Sequence, residues 1–258
     1  MALQNGYFHL DCAEAYMNES GVGAGIKASG IPREKLFVTT KLVGTKDQVV
    51  EDAIYSSLSK LGLDYVDLYL VHLPFSAGSP EGLQRIWAQM EAVKKSGKAK
   101  SIGVSNFTED DLEIILKSST ITPAVNQIEF HPYLQPIDLL DFHRQHNITT
   151  AGYSVLSAIT AGRPGPVDQI HIDLAQKYGV TENEIALRWV LDQGIIAITT
   201  SKSLQRLQGY AANLFSFKLT PQEVQQITNL GKQKHYQGPS LKLMGDAYGN
   251  YKIAPKRT

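Results

Sequence analysis

Three short apolar runs in the first third of the chain each stop at a titratable residue, and this regularity restricts the fold more than any other feature. Tyr7 to Leu10 follows Gly6 and ends at Asp11, with Tyr16 on the loop five positions later. Leu36 to Thr40 ends at Lys41, and Leu68 to Val71 ends at His72. Runs of this length, rich in aromatic and β-branched residues and bounded by turn signals, read as buried strands. Amphipathic helical patterns separate them with short connections, as in a parallel sheet wrapped by helices. In a parallel α/β barrel all strand C-termini open onto one face, and that face carries the chemistry. Asp11, Tyr16, Lys41 and His72 are therefore expected to converge.

The alternation continues to the end of the chain. Helices are expected over Glu19 to Ser29, then from a Thr45/Gln48 capping box along the apolar face Val49, Val50, Ala53, Ile54, Leu58 and Leu61 to Gly62. A third helix runs from Ser79 to Ser96, and strand Ser101 to Val104 ends in Ser105-Asn106. A helix starts at Thr108 with Asp111 three positions on. Strand Ala124 to Ile128 carries Asn126 and Gln127 into His131-Pro132, and strand Thr149 to Tyr153 follows. Helices from Val167 to Tyr178 and, capped by Thr181 and Glu184, to Asp192 precede a strand at Ile195 to Thr199. Ser201-Lys202-Ser203 then opens a helix near Arg206, and Thr220, Pro221 and Glu223 start the last one. Seven strands are legible where a closed barrel of this type has eight. Residues 1–5 read as the tail of a helix. The expectation is an α/β protein, a (β/α)8 barrel with its first βα unit largely missing, forming a single domain over residues 1–258. The edges at Tyr7–Leu10 and Ile195–Thr199 would then lie unpaired beside an open site, with low stability.

Composition narrows the function classes. Lys plus Arg and Asp plus Glu number 25 each, so nothing electrostatic favours nucleic acid or an anionic membrane as partner. Cys12 is the only cysteine, which excludes an intrachain disulfide and suits a reducing compartment. With no apolar run of membrane-spanning length and no signal-like start, a cytoplasmic protein, monomer or weak dimer, is expected. His131 lacks a second ligand at metal-binding spacing, so no metal is expected. Gly21-Val22-Gly23-Ala24-Gly25-Ile26 imitates a dinucleotide fingerprint, but its sixth position is Ile26 and it lies inside a helical pattern.

A strand-end Asp, Lys or His alone is more often a cap or a solvated charge than a catalyst; the combination carries the inference. A phenol titrates near pH 10, too high to release its proton easily. Lys41 against Tyr16 would favour the phenolate and make the phenol a better acid, Asp11 would keep Lys41 charged, and His72 could orient a substrate oxygen. A proton-donating Tyr suits carbonyl reduction, in which hydride reaches carbon while a proton reaches oxygen. None of the four can supply hydride, so a nicotinamide cofactor is implied.

With these residues in order the chain resembles the aldo-keto reductase superfamily over nearly its whole length. The blocks that carry the resemblance are GYFHLDCAEAY at Gly6–Tyr16, IPREKLFVTTK around Lys41, LGLDYVDLYLVHLP around His72, IGVSNF around Asn106 and NQIEFHPY around Gln127. The resemblance implies a catalytic tetrad of Asp11, Tyr16, Lys41 and His72, with Tyr16 as general acid. It implies that Ser105, Asn106 and Gln127 hold the nicotinamide carboxamide and that Tyr153 stacks on the ring. The pyrophosphate loop would be Ser154 to Ser157, with Ser154 and Leu156 in contact. Ser201, Lys202 and Arg206 look like the family's loop for the adenosine 2′-phosphate, which points to NADPH over NADH.

Several positions depart from the family. Leu73 stands where many members carry Trp, and the pyrophosphate loop lacks the common Pro and Gly. Gly209-Tyr210 replace the usual Glu-Asn, with Asn213 later. Together with a short loop after His72 and a Tyr-rich tail, these details resemble a fungal branch that reduces α-dicarbonyls, ketopantolactone and α-keto amides. The substrate expected is thus a small carbonyl compound. Two rival functions remain at this level: a lyase using Lys41 as Schiff-base nucleophile, and a non-catalytic or weakly active cofactor-binding or regulatory protein.

Overall fold

The computed structural model describes residues 1–45 and 47–238. Seven strands form one sheet in the order β1-β2-β3-β4-β5-β6-β7: β1 His9–Asp11, β2 Phe37–Leu42, β3 Val66–Val71, β4 Ala99–Ser105, β5 Val125–Glu129, β6 Thr149–Tyr153 and β7 Ile196–Ala197. Each expected strand is present, displaced by at most a few residues. Nine helices of α type accompany them among the described residues: α1 Glu19–Ser29, α2 Val50–Leu61, α3 Pro80–Lys95, α4 Glu109–Leu116, α5 Ile137–Gln145, α6 Asp168–Tyr178, α7 Glu182–Leu191, α8 Leu204–Asn213 and α9 Pro221–Gly231. Among the described residues, no helix is long and apolar enough to cross a membrane. Most of the Tyr-rich tail lies outside the described residues.

Contacts gather the described residues into two compact units, Met1–Asn126 with Phe142–Thr149, and Gln127–Asp141 with those from Thr150 to residue 238. The first unit contains β1 to β4, paired in parallel with Asp11 opposite Thr39, Lys41 opposite Leu70, and Leu68 opposite Ser101. Every residue of β3 is buried, the pattern of a strand covered on both faces. In the second unit β6 pairs β7 in parallel, Gly152 opposite Ala197, and Phe130 stacks on the buried Trp189 ring of α7. β1 and β7 end the strand order. Phe8 and Phe37 in the first unit and Ile196 in the second are all more than a third exposed.

Local sequence explains most boundaries. Gly62 ends α2 in the left-handed conformation and its N–H reaches the carbonyls of Leu58 and Ser59. Thr108/Asp111, Thr181/Glu184 and Thr220/Glu223 each form a reciprocal capping box. The Thr45/Gln48 box does not form: α2 starts at Val50 after Val49, which makes no side-chain cap. Gln48 instead uses its side chain on Gly44 and Glu14. The sequence pattern also carries no helix at α5, whose buried face includes His143 as well as Leu140. Burial lowers the His143 pKa to about 4, and its Nε2 lies 2.9 Å from the Asn126 amide nitrogen, as a neutral acceptor would.

The glycine run in α1 serves helix packing rather than nucleotide binding. A Cβ on Gly23 would lie 2.4 Å from the Leu61 carbonyl oxygen of α2, whereas Gly21 and Gly25 face open space. Gly23→Ala is therefore expected to destabilise the protein by about 1–3 kcal/mol through overpacking. Gly21→Ala and Gly25→Ala should be neutral or stabilising through helix propensity. Thermal melts of the three variants distinguish the positions; equal midpoints would remove Gly23 from the α1–α2 contact.

Candidate active site

The site grows from the ends of β1, β2 and β3. Asp11 closes β1, and the next N–H, of Cys12, still donates to the Thr39 carbonyl at 2.9 Å. Lys41 lies one residue before the end of β2, on the same face as Thr39, because alternate side chains share a face. It is wholly buried. Its Nζ donates to the Asp11 carboxylate and, at 3.0 Å, to the Cys12 carbonyl. An ammonium held against a carboxylate has no lone pair for a Schiff base, so this geometry disfavours a lyase.

Tyr16 ends a short 3-10 turn, Glu14–Tyr16, that leaves β1. Its hydroxyl is 3.5 Å from His72 Nε2, and the two rings meet edge to face with centroids 5.4 Å apart. Lys41 Nζ stands over the face of the Tyr16 ring, 5.0 Å from its centroid. The four strand-end residues thus come together. Tyr16 is 48% exposed while Lys41 is 0% exposed, so an incoming molecule can reach the tyrosine but not the lysine. His72 extends β3 by donating its backbone N–H to the Leu42 carbonyl at 2.9 Å, which sets the ring beside Tyr16.

The electrostatics correct one expectation. Desolvation first, and then the negative charge of Asp11, raise the Tyr16 phenol pKa to about 12, in place of the expected lowering by Lys41. The Lys41 ammonium is paired with the Asp11 carboxylate, so two opposite charges stand together beside the phenol. Tyr16 is held as a protonated donor. His72 moves the other way, to about 4, through desolvation and then the Lys41 charge, so its imidazole is neutral at physiological pH. Its Nδ1 is buried without a hydrogen-bond partner among the described residues, and Nε2 is the edge turned toward Tyr16.

Next to this group, Asn106 adopts a left-handed backbone (φ 63°) after β4, and its amide donates to the His72 carbonyl at 3.1 Å and to Ser105 Oγ at 3.0 Å. The hydrogen bond from Asn106 ties the end of β4 to the end of β3. Ser105 is buried.

The remaining expected cofactor residues belong to the second unit. Gln127 is buried on β5, and Tyr153 is the last residue of β6. Ser154 takes a left-handed conformation (φ 55°), so the turn forms without the glycine common in the family, closed by Ser157 N–H on the Ser154 carbonyl at 2.9 Å. Leu156 is half-buried in the same turn. At the start of α8, Ser203 caps the Arg206 N–H, and Arg206 Nε donates to Ser201 Oγ at 3.2 Å. Lys202 and Arg206 are exposed there, and the first turn of α8 carries no acidic residue. A hydroxyl, two cations and a helix N-terminus without a carboxylate fit a phosphate group. Tyr210 and Asn213 are used internally: the Tyr210 hydroxyl accepts from Asn183, and the Asn213 amide donates to Glu184.

Three participants carried no signal in the sequence. The Cys12 carbonyl that holds Lys41 is a backbone atom, so residue type says nothing about it. Glu14 and Gln48 are separated by 34 positions and meet only in the folded chain.

A family model described as "Aldo/keto reductase family" matches residues 1–232. The chain is 41% identical over 237 residues to the NAD/NADP-dependent indole-3-acetaldehyde reductase of Schizosaccharomyces pombe, covering 91% of this chain and 83% of that one. It is 39% identical over 263 residues to the NADPH-dependent alpha-keto amide reductase of Saccharomyces cerevisiae, covering 98% and 83%. Among solved structures, the Bombyx mori aldo-keto reductase in complex with NADP superposes with a TM-score of 0.82 at 35% identity, over 93% of this chain and 84% of that one.

Proposed function

The chain belongs to the aldo/keto reductase family, with the family's parallel α/β barrel type of fold, and from that premise we propose that it reduces a small aldehyde or ketone to the alcohol with NADPH, an α-dicarbonyl or α-keto amide being the favoured class. The observation that carries this reading is the Tyr16 hydroxyl beside His72 Nε2, on a phenol kept protonated and reachable, above a buried Lys41–Asp11 pair.

Each residue has a distinct task in the proposed reaction. The substrate carbonyl oxygen sits against Tyr16 Oη and His72 Nε2, the neutral imidazole donating a hydrogen bond that orients it. NADPH, when bound, supplies the hydride that the carbonyl carbon receives. Tyr16 releases its proton to the oxygen as negative charge develops there, so the phenolic O–H breaks while the alcohol O–H forms. The phenolate left behind lies beside the Lys41 charge and regains its proton from water. Ser105, Asn106 and Gln127 would hold the nicotinamide carboxamide, Tyr153 its ring, Ser154 and Leu156 the pyrophosphate, and Ser201, Lys202 and Arg206 the 2′-phosphate. Leu73, half-buried directly after His72, leaves the substrate side without an aromatic ring at that position. The S. cerevisiae relative named for alpha-keto amides supports the choice of substrate class.

The test is NADPH consumption by the purified chain with methylglyoxal, an α-keto amide and a simple aromatic aldehyde. Turnover should be faster with the first two than with the third. Because the His72 pKa lies near about 4, protonation of His72 should not slow the chemical step until the pH approaches that value. NADPH binding without turnover of any of these carbonyls would replace the reductase reading with that of a cofactor-binding protein.

A further inference from the structure

Glu14 touches none of the four tetrad side chains in the described hydrogen bonds, yet its carboxylate joins the Tyr16 turn to the loop after β2. It is the first residue of the 3-10 turn that ends in Tyr16. Its carboxylate accepts from the Val43 backbone N–H at 3.1 Å, and from Gln48 Nε2 at 3.1 and 3.0 Å on its two oxygens. Gln48 in turn accepts the Gly44 N–H at 2.8 Å. Val43 lies two residues beyond Lys41, so the acceptor set joins the turn bearing the phenol to the exit of the strand bearing the lysine. Within the turn, Tyr16 N–H reaches the Ala13 carbonyl and Met17 N–H the Glu14 carbonyl, both at 3.1 Å, and Met17 follows in a left-handed conformation, 91% exposed. These are bonds within the turn, whereas the Glu14 carboxylate ties it to the loop after β2.

We propose that Glu14, acting through Val43 and Gln48, is the positioning residue that sets the Tyr16 hydroxyl against His72. This inference rests on the proposed reductase reading for its kinetic consequence, but its structural content does not. A displacement of about 1 Å in a reacting group lowers rates on the order of 10²-fold. Glu14→Ala, which removes both acceptors, is expected to lower kcat about ten- to a hundredfold, with KM and NADPH affinity nearly unchanged. Glu14→Gln keeps one carbonyl acceptor for Val43 and recovers most of that loss.

The decisive comparison places Glu14→Ala in a Tyr16→Phe background. If Glu14 acts through the phenol, the second substitution there changes kcat little. A loss as large as in the wild-type background, or no loss of kcat in the single variant, overturns the proposal. The His72 imidazole 15N resonances provide a readout independent of turnover: Glu14→Ala shifts the Nε2 signal, which faces Tyr16, while Glu14→Gln restores it. An unchanged Nε2 signal in Glu14→Ala likewise overturns the proposal. Should wild-type protein reduce none of the carbonyls, the functional reading fails, and the nitrogen resonances still decide whether Glu14 sets the phenol in place.

Discussion

Tyr16→Phe is expected to lower carbonyl reduction by at least ~10²-fold while leaving NADPH binding nearly unchanged. The substitution removes one oxygen and keeps the ring, so the edge-to-face contact with His72 and the Lys41 charge over the ring face persist. What disappears is the phenolic proton that the proposed step delivers to the carbonyl oxygen. His72 cannot take over as general acid, because with a pKa near about 4 it carries no extra proton to give at neutral pH. Hydride arriving at carbon would then leave an alkoxide served by a hydrogen bond alone. Stopped-flow measurement of NADPH loss under single-turnover conditions, paired with a titration of NADPH affinity, separates chemistry from binding. A variant as fast as wild type would remove Tyr16 from the mechanism.

The second large effect concerns cofactor choice. Lys202→Ala together with Arg206→Ala should weaken NADPH strongly and NADH little. Both residues are exposed at the start of α8, Arg206 bonded to Ser201, and no acidic residue in the first turn offsets their charge. Hydrogen bonds to charged groups contribute roughly 1.5–3 kcal/mol each, or about ten- to a hundredfold in affinity per contact. The double variant should therefore lose on the order of 10²- to 10⁴-fold for NADPH if the contacts add. Raised salt should erode wild-type NADPH affinity more than NADH affinity, because the exposed cations are screened. Equal losses for both cofactors would mean that the pair meets some other part of the molecule. Arg206 alone should account for more than Lys202, since its planar fork can donate two hydrogen bonds to one phosphate while already steadied by Ser201.

Much of this protein was legible before any coordinates. The order of the strands, the helices α1, α3 and α7, the capping boxes at Thr108, Thr181 and Thr220, and the αL end of α2 at Gly62 all follow from patterns that act over a few residues. Period-2 and period-3.6 burial and side-chain capping are local in the chain, so residue type alone specifies them. For the same reason Asp11, Lys41 and His72 could be placed together from sequence: parallel strands put their C-terminal ends on one side, whatever the details of packing. Three features escaped this logic. The expected cap at Thr45/Gln48 gave way because Glu14 and Gly44, remote in sequence or adjacent in the loop, engage Gln48 more fully than a helix start would. α5 escaped because a buried histidine, in contact with Asn126, interrupts its apolar face. The raised pKa of Tyr16 escaped because desolvation and the closeness of Asp11 are set by distances, not by which residues are present. The chain's residues by themselves thus determined which groups meet; only the tertiary structure decided which of them holds the proton and what keeps it in place, since burial and backbone acceptors exist only once distant segments have packed.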